Sequence, residues 1–234
     1  MLLFLPGLIC DARVFAPQLA AFPGSRAVEG YGTADSLAAM ARVALAFADR
    51  EGAERFDLFG HSMGGRVALE VFRLAPDRVR RLALSSTGVH SLGANEPEKR
   101  HALKAIGHEQ GFEALVDAWL PPMVAEASRA KPELYAPMRQ MSVEAGQAVF
   151  DAQIAALLGR PEQESLLPQI GCPTLVMTGE LDTWSPPARH EGIATAIPNS
   201  NLVIVPGAGH MLPLEAPEAV NSAITDWLAR PAKD

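Results

Sequence analysis

The sequence predicts an α/β fold: a mostly parallel sheet of about six strands with helices on both faces and one helical insertion. Three observations predict it. Short apolar runs alternate with segments of helical periodicity through most of the chain, the pattern of parallel strands joined by crossover helices. Between Gly88 and Leu166 the alternation lapses, because helical patterns persist there while nothing reads as a strand. A serine set between glycines, Gly60-His61-Ser62-Met63-Gly64-Gly65, stands where an apolar run gives way to an amphipathic helix.

The elements follow in order. Leu2 to Leu5, closed by Pro6-Gly7, is a buried first strand rather than a signal peptide, since it has no basic leader and is too short. Arg26 to Glu29 is the second strand, and a helix covers Ser36 to Asp49. Phe56 to Phe59 is the third strand, and Val67, Ala68, Val71, Phe72 and Ala75 carry a helix from Met63 to Leu74 until Pro76 stops it. Val79 to Ser85, Thr174 to Thr178 and Leu202 to Val205 supply the remaining strands. Helices run from Pro187 to Ala196 and from Pro217 to Leu228, the last with Val220, Ile224, Trp227 and Leu228 on one stripe.

The interruption divides the chain into a core of residues 1–90 and 167–234 and a helical cap of residues 91–166. One apolar face of the cap is Phe112, Leu115, Val116, Trp119 and Leu120, and another is Ile154, Leu157 and Leu158. Its prolines (Pro97, Pro121, Pro122, Pro132, Pro137 and Pro161) imply several short pieces. Met123, Met138 and Met141 fit either an adaptable apolar underside or the private core of the cap.

Composition narrows the function classes. A chain of 234 residues, 48% of them hydrophobic, can bury one substantial core. A net charge of −7, with 20 basic residues scattered among 27 acidic ones, argues against a nucleic-acid partner. No run approaches the roughly 20 apolar residues that span a bilayer, so a membrane role is not expected. Cys10 and Cys172 make neither a disulfide framework nor a CxxC pair, which suits a reducing cytoplasm. No pair of histidines has metal-ligand spacing, so neither a metal nor a cofactor is expected.

A serine at a strand-to-helix turn is the setting of an activated nucleophile, but its hydroxyl needs an imidazole to take its proton and a carboxylate to hold that imidazole. In open parallel sheets such groups collect in loops at the carboxyl ends of strands. Asp182 follows the strand Thr174 to Thr178 through Gly179-Glu180-Leu181, and His210 follows Leu202 to Val205 through Pro206-Gly207-Ala208-Gly209. The loop Ser85-Ser86-Thr87-Gly88 offers no carboxylate, which leaves Asp182 as the acid.

These residues resemble the α/β-hydrolase family from Met1 to about Leu228, the cap apart. The order Ser62, Asp182, His210 is that of the family, and Gly207-Ala208-Gly209-His210-Met211 with Leu214-Glu215-Ala216-Pro217 is similar to its histidine motif. The resemblance implies an oxyanion hole made by the backbone N–H groups of Leu8 and Met63. It departs from the usual pattern at Pro6, where histidine is common, and lacks the leading strand hairpin. The implied activity is that of a serine esterase or lactonase acting on a small ester or lactone, with His210 protonation on acidification lowering kcat/KM. An enol-lactone or carbon-carbon bond hydrolase remains an alternative, as does a non-catalytic ligand-binding scaffold. Halide or epoxide chemistry needs a carboxylate where Ser62 stands. The oligomeric state is not legible.

His61 reads as a packed structural histidine, His90 as either a pocket border or a loop residue, and His101, His108 and His190 as solvated. Cys10 reads as a small buried apolar residue, while Trp119 and Trp184 read as pocket walls or core. Were the substrate anionic, Arg139 or Arg160 of the cap would be the contact, against a default of solvated helical arginines.

Overall fold

The computed structural model describes residues 1–232. Among them six strands form one sheet: β1 (Leu2–Leu5), β2 (Arg26–Ala27), β3 (Phe56–His61), β4 (Val79–Ser85), β5 (Thr174–Gly179) and β6 (Ser200–Val205). They lie in the order β2-β1-β3-β4-β5-β6 and every pairing is parallel. β1, β3 and β5 are buried along their whole length, which is why they read as apolar runs without alternation. β6 is one edge and is buried only at Val205.

Helix α1 (Ala16–Ala21) follows β1, α2 (Leu37–Arg50) follows β2 and α3 (Met63–Leu74) follows β3. Right-handed crossovers put α1 on one face, because β1 to β2 steps one way along the sheet, and α2 and α3 on the other, because their steps reverse it. The packing agrees: α2 lies against α3, while α1 lies against the terminal helix, Pro217–Ala229. The Ser36 hydroxyl accepts from the Ala39 amide at 3.2 Å, an N-cap worth about 1 kcal/mol that starts α2 one residue later than its periodicity suggests. At the far end the Trp227 indole N–H donates to the Pro173 carbonyl at 3.0 Å, tying the last helix to the start of β5.

Between β4 and β5 the chain is helical: α4 (Glu96–Gln110), α5 (Phe112–Trp119), α6 (Glu126–Arg129) and α7 (Pro132–Leu158). Two expectations are corrected here. β2 stops at Ala27 instead of Glu29, because after Val28, whose amide still donates to Phe4, Glu29 is exposed and Gly30 turns the chain away at φ 140°. The span α7 is two helices that meet at a kink at Gly146, φ 79°, and the first runs on through Pro137, so the break read from the prolines comes at a glycine instead. That break splits the apolar stripe into two. Met138 and Met141 are buried in this segment. No helix among the described residues is long and apolar enough to cross a membrane.

After β5 come α8 (Pro187–Ala196), and after β6 α9 (Leu212–Glu215) and α10 (Pro217–Ala229).

Candidate active site

The chain leaves β1 toward β2 and leaves β3 toward β4, in opposite directions along the sheet, which opens a crevice at the strands' carboxyl ends. Leu8 follows β1 and Ser62 follows β3, so both stand at that crevice. Ser62 holds φ 56° and ψ −120°, a left-handed region that L-residues avoid. The turn survives because its neighbours lack side chains: a Cβ on Gly60 would overlap the Gly64 carbonyl, and one on Gly64 would overlap the Leu5 carbonyl.

The loops after β5 and β6 deliver the other two groups. The Ser62 hydroxyl donates to His210 Nε2 at 2.8 Å, and His210 Nδ1 donates to Asp182 Oδ2 at 2.8 Å. An ionised carboxylate only accepts, so this order places the imidazole proton on Nδ1 and leaves Nε2 free to take one. Asp182 is held in turn by the amides of Trp184 at 3.0 Å and Ser185 at 2.8 Å, both on Oδ1. Burial pushes the Asp182 carboxyl up, but the His210 imidazole and the Ser185 amide outweigh it and keep it below the ordinary carboxylate range. The His210 amide donates to the Met123 carbonyl at 2.8 Å, and Glu215 Oε2 accepts from the Ala125 and Gly209 amides at 2.9 and 3.2 Å. The histidine loop is therefore fastened to the helical segment.

Ser62, His210, Leu8 and Met63 line one cavity of about 460 Å³. Among the described residues neither the Leu8 nor the Met63 amide has an acceptor. The next amide, Ile9 at φ 46°, donates to Gln153 Oε1 of α7 at 2.7 Å, which anchors the turn that carries Leu8. Pro6 leaves the turn intact, and its carbonyl accepts from the Tyr31 hydroxyl at 3.2 Å.

A model of the alpha/beta hydrolase family matches residues 2–223. The chain belongs to the alpha/beta hydrolase family. Its similarity to solved structures includes a thermophilic esterase from Thermogutta terrifontis, solved with malate bound, at 29% identity and TM-score 0.87 over 97% of this chain and 88% of that one. It also includes the enol-lactonase from Burkholderia xenovorans LB400, at 24% identity and TM-score 0.86 over 97% and 91% of the two chains, a likeness of fold. Among curated proteins it is 30% identical to the dihydrolipoyllysine-residue acetyltransferase component of the acetoin cleaving system of Pseudomonas putida over 96% of its length. It spans only 58% of that relative.

The remaining histidines of this alpha/beta hydrolase divide sharply. His61 is a packed residue as expected, its ring edge-on to Phe15 and 5.4 Å from that of His210. Burial, reinforced by His210, pushes His61 down to about 3, so it stays neutral beside the site. His190 is corrected: it is fully buried, its Nε2 accepts from the Thr87 amide at 3.0 Å, and its Nδ1 faces the Pro186 carbonyl at 3.3 Å. It ties α8 to the loop after β4, so its helical face is an interior one. Trp119, Trp184 and Met123 line the cavity, whereas Cys10 is a buried thiol pushed up to about 12 by desolvation.

The cationic wall is where sequence reasoning missed most. Arg139 pairs with Asp117 at 2.6 Å and Glu113 at 3.1 Å on the surface, and Arg160 is buried against Glu96 at 2.6 Å; neither lines the cavity. Arg66, Lys99, Arg100 and Arg189 do. The signal for Arg66 was its place in the first turn of α3, directly after the turn that carries Ser62.

Proposed function

We propose that this alpha/beta hydrolase is a serine hydrolase that cleaves a small carboxylic ester or lactone through an acyl-enzyme on Ser62. The observation that carries the reading is the unbroken chain Asp182–His210–Ser62, with both contacts at 2.8 Å, ending at a cavity that also holds two amides without acceptors among the described residues. Ser62 Oγ attacks the carbonyl carbon as its proton passes to His210 Nε2. The Leu8 and Met63 amides receive the developing oxyanion, where one such donor is worth about 2.7–4 kcal/mol in the transition state. His210 then protonates the leaving alkoxide, which departs as the carbonyl re-forms. A water attacks the acyl group, its proton goes to His210, and the acid is released as that proton returns to Ser62. Asp182 holds the ring and offsets the imidazolium charge throughout. In this reading residues 91–166 act as a cap over the core of residues 1–90 and 167–234, and Met123 couples the cap to the histidine loop.

Ser62→Ala is the test. Turnover of 4-nitrophenyl acetate should fall by about 10⁴-fold or more with an unchanged melting temperature. A short quench of the wild type should leave an acetyl adduct on the peptide bearing Ser62. Full turnover in the variant refutes the mechanism.

A further inference from the structure

Arg66 is 6% exposed, yet it lines the same cavity as Ser62. A buried guanidinium is ordinarily matched by a carboxylate, since an uncompensated buried charge is strongly destabilising. Among the described residues Arg66 makes no ion pair. Its two terminal nitrogens reach the His90 carbonyl only at 3.4 Å, and one faces His90 Nδ1 at 3.5 Å. Burial and the neighbouring Arg160 lower it to about 9, which leaves it charged at neutral pH.

On the other side of the same imidazole, Arg189 Nη1 faces His90 Nε2 at 3.5 Å and donates to the Trp184 carbonyl at 3.3 Å. A neutral imidazole has one acceptor nitrogen, so it cannot serve two guanidinium groups at once. Burial and Arg66 push His90 down to about 4, and protonation would leave it no acceptor at all. Glu96 is the carboxylate of the lining, and it is already taken by Arg100 and Arg160, each at 2.6 Å. In a chain of net charge −7, this wall is a local excess of donors and positive charge. Leu103, Trp119, Met123 and Leu157 make the adjoining lining apolar, which suits a short hydrocarbon spacer.

We infer that Arg66 and Arg189 form a carboxylate subsite, so that the preferred substrate is an ester or lactone bearing a free carboxylate remote from the scissile carbonyl. A planar pair of oxygens between the two guanidinium groups supplies the acceptors that His90 lacks. The inference rests on Ser62 as nucleophile for its catalytic meaning, while the subsite itself can be read without turnover.

Mono-4-nitrophenyl glutarate and its methyl-blocked counterpart, 4-nitrophenyl methyl glutarate, differ only in the distal charge. The wild type should favour the free acid by about tenfold or more in kcat/KM, mainly through KM. Arg66→Met and Arg189→Gln should each bring that ratio down toward one, and the exposed Arg189 keeps the test available should Arg66→Met fold poorly. A wild-type ratio of one or less, or a ratio indifferent to Arg189→Gln, overturns the subsite while leaving the Ser62 reading intact. Absence of turnover for both esters defeats the Ser62 reading instead. Calorimetric titration of the Ser62→Ala protein with monomethyl glutarate then decides the subsite. Binding weakened about tenfold by adding Arg189→Gln supports it, and undetectable binding overturns it.

Discussion

The floor and the wall of the cavity are built on opposite rules. On the floor, Asp182 accepts two amides and an imidazole N–H, and His210 uses both ring nitrogens, so the groups proposed to move protons are fully engaged. On the wall, Arg66 and Arg189 share one imidazole with a single lone pair to offer. The contrast separates two tasks. A proton relay must be assembled beforehand, because reorganising it during the reaction raises the barrier. A recognition surface keeps unmet donors, because a ligand binds by meeting them.

The largest effect expected on the floor, after removal of the proposed nucleophile, is that of Asp182→Asn. Its carbonyl can still accept the Trp184 and Ser185 amides, so folding should hold. Its NH₂, however, would face His210 Nδ1 and favour the wrong tautomer. Turnover should drop by about 10⁴-fold with a near-native melting temperature. Activity within tenfold of the wild type would dissolve the floor as a working unit, whereas a proportional loss for charged and neutral esters would sharpen the division from the wall.

The floor was legible in the sequence because its residues are tied to strand ends, and strand ends are marked by apolar runs that stop. Ser62, Asp182 and His210 each stand a few residues beyond such a run, and Gly60 and Gly64 reveal the sharp turn. The wall was not legible, for a geometric reason. Arg66, Lys99, Arg100 and Arg189 lie on helices, where periodicity distinguishes inside from outside but not solvent from cavity. Arg139 and Arg160 read the same way in sequence, yet one lies in surface ion pairs and the other behind Glu96. His190 failed for a related reason: its partner, the Thr87 amide, comes from a loop 103 residues away. Edge strand β2 was over-extended because Val28 is buried and apolar like a strand residue, although the ladder has ended.

His190 gives the next effect in size. Burial pushes it down from the ordinary 6.5 to about 4, so between those values the unfolded chain binds a proton that the folded one refuses. Stability from this group is therefore complete above pH 6.5 and declines as pH falls toward 4, by about 3 kcal/mol in all. His61, pushed down to about 3, adds to the same slope. In His190→Gln, whose side-chain oxygen can still accept the Thr87 amide, denaturant unfolding across pH 4.5–7 should show a flatter dependence. An unchanged slope would mean that His190 takes up its proton within the fold, and would remove the brace between the acid loop and the loop after β4 from the account of a preformed floor.

The smallest effect tests where floor and helical segment meet. Gln153 of α7 is 1% exposed and its Oε1 accepts from the Ile9 amide at 2.7 Å, beside the Leu8 amide of the proposed oxyanion turn. Gln153→Leu keeps the volume and removes the acceptor, leaving a buried N–H unpaired at about 1–3 kcal/mol of stability. If the turn acts only in the transition state, kcat for a neutral ester should fall about tenfold while KM barely moves. A rise in KM with kcat unchanged would instead make Gln153 part of the recognition surface, and the boundary between the two regions would have to be redrawn through α7.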